Sequence, residues 1–215
     1  MLRPIRLIKK IITSIVVIVF ILFVGLFYIT TKYPLIYEES IEKYSAEYNI
    51  DFYLIASIIN VESKYDKNAV SKKGARGLMQ ISSQTGQWAS EVLSIEDYDD
   101  DTLFNPETNI KIGAWYLDTL MGEFDSRFDL VLAAYNAGSG NVSKWLCQRE
   151  YSEDGVNLTN IPFKETEDYL KRVKQNYKVY SKIYGNIKSG RKTDSFYINL
   201  LHNIRRTIKS FIGII

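Results

Sequence analysis

Glu62 is the residue whose type and position first suggest chemistry. It follows Ile55 and Ile59 at helical spacing, so it continues the apolar face of a predicted helix instead of facing water. A carboxylate on such a face is costly unless it is paired or protonated, and desolvation raises its pKa. A raised pKa suits a general acid that works near neutral pH. The alternative interpretation is a helix-end glutamate in an ion pair with Lys64 or Lys67.

The stretch that follows this helix, SKKGARGLMQIS, combines flexible backbone with a polar side chain. Gly74 and Gly77 allow backbone conformations, or a close approach to a ligand, that other residues do not. Gln80 adds an amide that both donates and accepts hydrogen bonds. The turn alone is not specific, but its combination with Glu62-Ser63 and with AAYNAGSGNV, residues 133–142, is.

The totals exclude several classes of function. A single cysteine and a single histidine exclude a disulfide and most Ser-His, Cys-His and His-metal chemistry. The net charge of +2 does not predict a nucleic-acid surface. The acidic stretch EDYDDD, residues 96–101, lacks the glycine and the distal glutamate of a calcium-binding loop. We therefore expect no metal and no organic cofactor, and acid–base work is left to carboxylates and tyrosines.

Four motifs occur in order along the chain. They are Glu62-Ser63 with Tyr65 and Ala69-Val70-Ser71; Gly-Leu-Met-Gln at 77–80; Ala-Tyr-Asn-Ala-Gly at 134–138; and Pro162, Glu165, Thr166 and Tyr169. In type and spacing they resemble the lytic transglycosylase domain of the soluble lytic murein transglycosylase type. That family is related to goose-type lysozyme and cleaves the glycan strands of bacterial peptidoglycan. The resemblance covers roughly residues 36–184.

The resemblance implies roles for individual residues. Glu62 would be the catalytic acid and then the base, and Tyr135 would hydrogen-bond near it. The residues that would contact sugar or support the site are Ser63, Ser71, Gly77, Gln80, Asn136 and Glu165. Many members have Met-Pro soon after the glutamine, where this chain has Ser82-Ser83, so one packing contact of the groove differs.

The family reaction explains how one carboxylate can suffice, although most glycosidases use two. It joins the C6 hydroxyl of N-acetylmuramic acid to its own anomeric carbon and consumes no water. Two alternatives stay open. A hydrolytic muramidase on the same fold would want a second acid, and Asp66 is the nearest in sequence. A wall-binding scaffold would keep the groove and do little chemistry.

The elements that must position these residues are predicted to be helices, so the expected fold is mainly α, and the resemblance implies that it is lysozyme-like. Asp51 is a plausible N-cap for the helix from Phe52 to about Ser63, and Asn105-Pro106 opens another. Ser126 with Asp129 resembles a capping box before Leu130. Further helices are predicted at 40–48, 130–137, 141–148 and 166–184. Candidate sugar-stacking rings are Tyr65, Trp88 and Tyr135, whereas Trp115 and Trp145 are expected in the core.

The N-terminal segment is apolar from Ile11 to Ile29 except for three residues, and a helix of that length reaches about 28 Å, close to the hydrocarbon thickness of a bilayer. Basic residues precede it and only Lys32 closely follows, so the positive-inside rule predicts a cytoplasmic N-terminus and an extracytoplasmic domain of a bacterial membrane protein. A cleaved signal peptide is the alternative interpretation, and no small-x-small cleavage site follows the segment.

The expected partners are the peptidoglycan strands and the cytoplasmic membrane, and no residue indicates a protein partner. The predicted divisions are a basic N-terminus (1–10), a transmembrane helix (11–30), a linker (31–36), the catalytic domain (37–185) and a basic amphipathic tail (186–215), which would lie on the membrane or pack on the domain.

Overall fold

A computed structural model describes residues 3–188 of the chain, which divides into two compact units. Leu35–Tyr184 forms one unit, and the helix α1, Arg3–Lys32, belongs to the other. Within α1, Leu7–Lys32 is long and apolar enough to cross a membrane, and no other helix among the described residues meets that test. The predicted amphipathic helix of the tail, with His202, lies outside the described residues.

Helices build the unit Leu35–Tyr184, as expected for a mainly α protein. Between residues 3 and 188 the only β pairing consists of isolated bridges, from Val70 to Arg76 and from Arg76 to Ile81. The helices after α1 are α2 (Glu38–Glu47), α3 (Phe52–Glu62), α4 (Ser83–Val92), α5 (Pro106–Glu123), α6 (Phe128–Ala137), α7 (Ser139–Leu146) and α8 (Lys164–Lys188), with a 3₁₀ helix at Asp100–Phe104.

Helix α3 is the central helix of this unit. The Asp51 carboxylate caps it by accepting hydrogen bonds from the backbone N–H groups of Tyr53 and Leu54, at 2.8 and 3.1 Å. Its apolar residues are buried on nearly every side, and Ile55 and Ile59 are fully buried. The helix ends at Glu62, so the last residue of a rigid, buried element carries the candidate acid.

Helix α5 connects the other elements, because it contacts α2, α4, α6 and the 3₁₀ helix. It begins as predicted, with Pro106 in its first turn and the Asn105 side chain accepting from the backbone N–H of Thr108 at 3.1 Å. Trp115 on α5 and Trp145 on α7 are buried, as expected from their helical patterns.

Several local predictions were wrong. The N-cap of α6 is Arg127 and no side chain caps that helix, so the capping box of Ser126 and Asp129 does not form. Ser126 has a φ of 57°, a left-handed conformation that takes it out of the N-cap position. Helix α7 begins at Ser139, two residues before the predicted start. Tyr65 is buried and its hydroxyl donates to the Ala56 carbonyl, so it belongs to the core and not to a sugar site.

Helix α4 was not predicted, because its sequence, SQTGQWASEV, is mostly polar and has no clear apolar stripe. Ser82 caps it by accepting from the backbone N–H of Thr85 at 3.1 Å. The helix packs on α5 and on the 3₁₀ helix. The two serines that replace Met-Pro thus start a helix beside the site.

Candidate active site

A cleft of about 870 Å³ opens beside the end of α3, within the usual size range of ligand-binding sites. The glycine turn, α4, α5, the α6–α7 junction and the start of α8 form its walls. Six of the eight predicted site residues line it: Glu62, Ser71, Gln80, Tyr135, Asn136 and Glu165. Ser63 and Gly77 are buried beside it and are not part of its lining.

Glu62 is partly buried, and its environment favours the protonated form. Burial is the main cause that raises the pKa of Glu62 from 4.5 to about 7. The Tyr169 hydroxyl and the Arg172 guanidinium act in the opposite direction, since both stabilise the carboxylate. Glu165 adds to the rise by like-charge repulsion. A carboxyl with this pKa can both give and take a proton near neutral pH.

One face of α8 supplies all three of these neighbours, since Glu165, Tyr169 and Arg172 lie at i, i+4 and i+7. Tyr169 is fully buried, and burial, the Glu62 charge and the Tyr135 hydroxyl raise its pKa well above 10. Its hydroxyl has no hydrogen bond of standard geometry to any described residue, and Glu62 is the acidic group it faces. The sequence had offered Tyr169 only as part of a motif, without a role.

The glycine turn is held in one conformation by close packing. Gly77 has a φ of 76°, and a Cβ atom there would lie 2.2 Å from the Leu103 carbonyl oxygen. The turn brings Gln80 to the cleft with a left-handed φ of 50°. The Gln80 Nε2 donates to the carbonyls of Ala69 and Gly77, at 3.1 and 3.0 Å. Both amide hydrogens are thereby used, which leaves Oε1 to accept from a ligand.

Asn109, on α5, fixes the same turn and was missed by the sequence reasoning. Its Oδ1 accepts from the backbone N–H of Met79 at 2.7 Å. Its Nδ2 donates to the carbonyls of Arg76 and Leu103, at 3.0 and 2.8 Å. The side chain is fully buried, so these bonds offset the cost of its desolvation. The available signal was a polar residue on the otherwise apolar buried face of α5.

The α6 motif ties two walls of the cleft together. The Tyr135 hydroxyl donates to the Met79 carbonyl at 2.9 Å, so its hydrogen bond goes to the glycine turn. Burial, and next the Glu62 charge, raise the pKa of Tyr135 well above 10, so its hydroxyl stays neutral. The Asn136 Oδ1 accepts from the buried Thr166 hydroxyl on α8 at 2.8 Å.

The two serines of the first motif differ in position. The Ser71 hydroxyl lines the cleft and accepts from the backbone N–H groups of Lys73 and Ala75, at 3.2 and 3.0 Å, so its own hydrogen remains for a ligand. The Ser63 hydroxyl donates to the Ile59 carbonyl at 3.1 Å and closes the end of α3.

Other acidic groups offer less. Asp66 is exposed, accepts from the backbone N–H of Asn68 at 2.9 Å and does not line the cleft. Glu165 is therefore the nearer candidate for a second carboxylate. Among residues 3–188, no group of three His, Cys, Asp or Glu side chains could hold a metal ion.

Solved structures share the fold. The 70-kDa soluble lytic transglycosylase of Escherichia coli matches with a TM-score of 0.63 and 31% identity, over 71% of this chain and 25% of that one. A lytic transglycosylase of Pseudomonas aeruginosa, solved as an inactive mutant in which glutamine replaces a glutamate, matches with a TM-score of 0.63 and 26% identity, over 72% of this chain and 25% of that one. The expected mainly α, lysozyme-like fold is thereby confirmed.

Sequence comparison gives the family. A soluble lytic murein transglycosylase of Salmonella typhimurium is 36% identical over 66% of this chain, and a membrane-bound lytic murein transglycosylase C of Edwardsiella ictaluri is 29% identical over 68%. The match spans 22% of the first relative's length and 47% of the second's. The profile of the Transglycosylase SLT domain matches residues 39–157. The chain therefore belongs to the SLT-domain transglycosylase family.

Proposed function

We propose that this protein is a membrane-anchored peptidoglycan lytic transglycosylase that uses Glu62 as its catalytic acid and then its base. The observation that carries the proposal is a single one: a partly buried carboxyl, with a pKa raised to about 7, lines the large cleft of an SLT-type fold. The substrate is the β-1,4 bond between N-acetylmuramic acid and N-acetylglucosamine. Residues 37–185 form the catalytic domain.

In the first step, protonated Glu62 gives its proton to the glycosidic oxygen, and the bond from that oxygen to the anomeric carbon breaks. The positive charge that develops on the sugar ring is stabilised by the N-acetyl group of the substrate. The environment of Glu62 supports this step because burial keeps the proton on the carboxyl up to about pH 7.

In the second step, ionised Glu62 takes the proton from the C6 hydroxyl of the same sugar, whose oxygen bonds to the anomeric carbon. The nucleophile is already tethered, so no separate molecule has to be ordered. The product carries a 1,6-anhydro ring, and Glu62 is protonated again. During the ionised interval, Tyr169 and Arg172 are the groups that stabilise its charge.

The polar lining of the cleft supports sugar binding. Gln80 Oε1 can accept a hydrogen bond from a ligand, because both amide hydrogens of Gln80 already bind backbone carbonyls. The Ser71 hydroxyl can donate one, because its oxygen already accepts from backbone N–H groups. Asn136 is oriented through its Oδ1 by Thr166, so its amide N–H groups are the donors toward a ligand. Gly77 and Ser63 act indirectly, by shaping the turn and the helix end.

The anchor is α1, with its N-terminus in the cytoplasm and the catalytic domain outside. The length and apolar composition of Leu7–Lys32 support a membrane span, and the basic residues before it support the orientation. Cys147 is exposed and is the single cysteine of the chain, so it can report the orientation. A membrane-impermeant maleimide should label Cys147 in cells with intact membranes. Labelling of Cys147 only after cell lysis would mean that the domain lies in the cytoplasm, opposite to the proposed orientation.

A hydrolase on the same fold is the second candidate, and one observation favours it. Glu165 lines the same cleft as Glu62, so a second carboxylate is present to activate a water. The hydrolytic mechanism would give ordinary reducing ends in place of anhydro rings.

The deciding experiment digests purified peptidoglycan with the full-length chain in mild detergent, beside its Glu62→Gln variant, and reads the products by mass spectrometry. Muropeptides lighter by one water, made by the wild type alone, are expected. Products with reducing ends would make the protein a muramidase. Wall binding without products from either protein would make it a scaffold.

A further inference from the structure

Trp88 is an exposed aromatic residue on the wall of the cleft that Glu62 also lines. It lies on α4, 45% of its surface is exposed, and its side chain lines the cleft. Leaving a large indole in water is unfavourable, because its apolar area gains nothing until something covers it. The other two tryptophans of the chain are buried.

The Trp88 ring is held in place before any ligand arrives. The buried Trp115 contacts it edge-on, with ring centroids 4.7 Å apart at 69°. Tyr116 supports it from a second side at 6.3 Å and 83°. Helix α4 packs closely at Gly86, where the Tyr98 hydroxyl oxygen would lie 1.9 Å from an added Cβ. A fixed ring loses little conformational entropy on binding.

The aromatic rings continue from the Glu62 end of the cleft toward Trp88. The Glu62 charge raises the pKa of Tyr135, so Tyr135 marks the Glu62 end of this series of rings. The ring centroids of Tyr135 and Tyr116 are 5.6 Å apart, and those of Tyr116 and Trp88 are 6.3 Å apart. Polar side chains share the cleft wall with Trp88: Gln84, Thr85 and Thr119. A pyranose ring has an apolar C–H face and a rim of hydroxyl groups, so a flat ring with polar neighbours suits it.

We propose that Trp88 forms a sugar-stacking subsite, remote from the cleaved bond, that holds an N-acetylhexosamine ring of the same glycan strand. This inference rests on the proposed function, because continuity with the Glu62 cleft identifies the occupant. The subsite makes the enzyme favour long strands. At such a remote subsite Trp88 acts on binding and leaves the chemical step unchanged.

The kinetic test uses the full-length chain in detergent, with peptide-free glycan strands sorted by length. Trp88→Ala should raise KM for long strands roughly tenfold, as expected for loss of an aromatic anchor, with kcat unchanged. Fragments too short to reach from Glu62 to Trp88 should be cleaved as by wild type. Trp88→Phe should recover most of the loss. The matched control is Val92→Ala, which alters an exposed residue one turn along α4 that does not line the cleft.

A KM for Trp88→Ala that is unchanged, or that rises equally for short and long strands, would overturn the subsite. Binding is measured separately by tryptophan fluorescence in Glu62→Gln, where long strands should shift the emission and Trp88→Phe should abolish the shift. No shift with bound strands also overturns the subsite. Cleavage that depends on Glu62 but not on Trp88 would leave the proposed function intact. A fluorescence shift without cleavage by wild type would overturn the function and leave the subsite.

Discussion

Replacing Glu62 by glutamine should make the protein more stable at alkaline pH while it removes activity. The folded-state pKa of Glu62, about 7, lies above its ordinary value of 4.5, so the folded protein holds this proton more tightly than the unfolded chain does. The stability from the neutral carboxyl is complete below pH 4.5 and is lost as the pH rises through 7. At about 1.4 kcal/mol for each pH unit between the two pKa values, the loss by pH 8 is about 3 kcal/mol.

Glutamine has nearly the same shape and no charge to desolvate, so Glu62→Gln should avoid this loss. Thermal unfolding, followed by near-UV circular dichroism, would be measured at pH 4 and pH 8 for both proteins. The difference in midpoint between them should grow by roughly 6–12 °C on going from pH 4 to pH 8. Glu123→Gln is the matched control, because Glu123 lines the same cleft but is exposed, and it should show no such growth.

A difference in midpoint between Glu62→Gln and wild type that is the same at pH 4 and pH 8 would refute the reasoning. It would mean that the Glu62 carboxylate is as well solvated in the folded protein as in the unfolded chain. Glu62 would then be ionised near neutral pH, and the proposed general acid would have no proton of its own to give there.

The remaining predictions concern the groups around this carboxyl. The specificity constant for cleavage, kcat/KM, should fall on the alkaline side near pH 7. Tyr169→Phe should move that fall to higher pH, because it removes the hydroxyl that stabilises ionised Glu62, and Glu165→Gln should move it to lower pH, because it removes a like charge. Alkaline limbs of the two variants that shift in the same direction, or that do not shift, would contradict this. Asn109→Leu removes the side-chain partner of two buried backbone groups, the Met79 N–H and the Leu103 carbonyl, whereas the Arg76 carbonyl keeps its bond from the Ile81 N–H; urea denaturation should therefore show a loss of about 2–4 kcal/mol. A loss below 1 kcal/mol would mean that water replaces the lost side chain. Gly77→Ala should cost about 3 kcal/mol through strain and contact with a carbonyl, and normal stability would show that the turn can shift.

The sequence was most informative where a local pattern and the packing agree. Helix α3 was predicted from its apolar run and its Asp51 cap, and both are present. The start of α5 at Pro106 followed from the same local rules. These elements form because each residue preference and the burial of the helix favour the same conformation.

Prediction failed where contacts distant in sequence decide. The polar α4 forms because α5 and the 3₁₀ helix cover one of its sides. The sequence of α4 itself does not predict these contacts. Tyr65 looked like a sugar platform, but two successive left-handed residues, Lys64 and Tyr65, turn its ring into the core. The capping box at Ser126 failed because a turn takes precedence there.

By itself, the sequence singled out Glu62 as the candidate acid, since a carboxylate on an apolar helical stripe is expected to be buried. It also determined the helical class and the apolar N-terminal segment, because both depend on composition and spacing along the chain. Only the tertiary structure decided the surroundings of Glu62. Tyr169 and Glu165 come from α8, about a hundred residues further on, and the pKa of a carboxyl depends on distances to such groups in space.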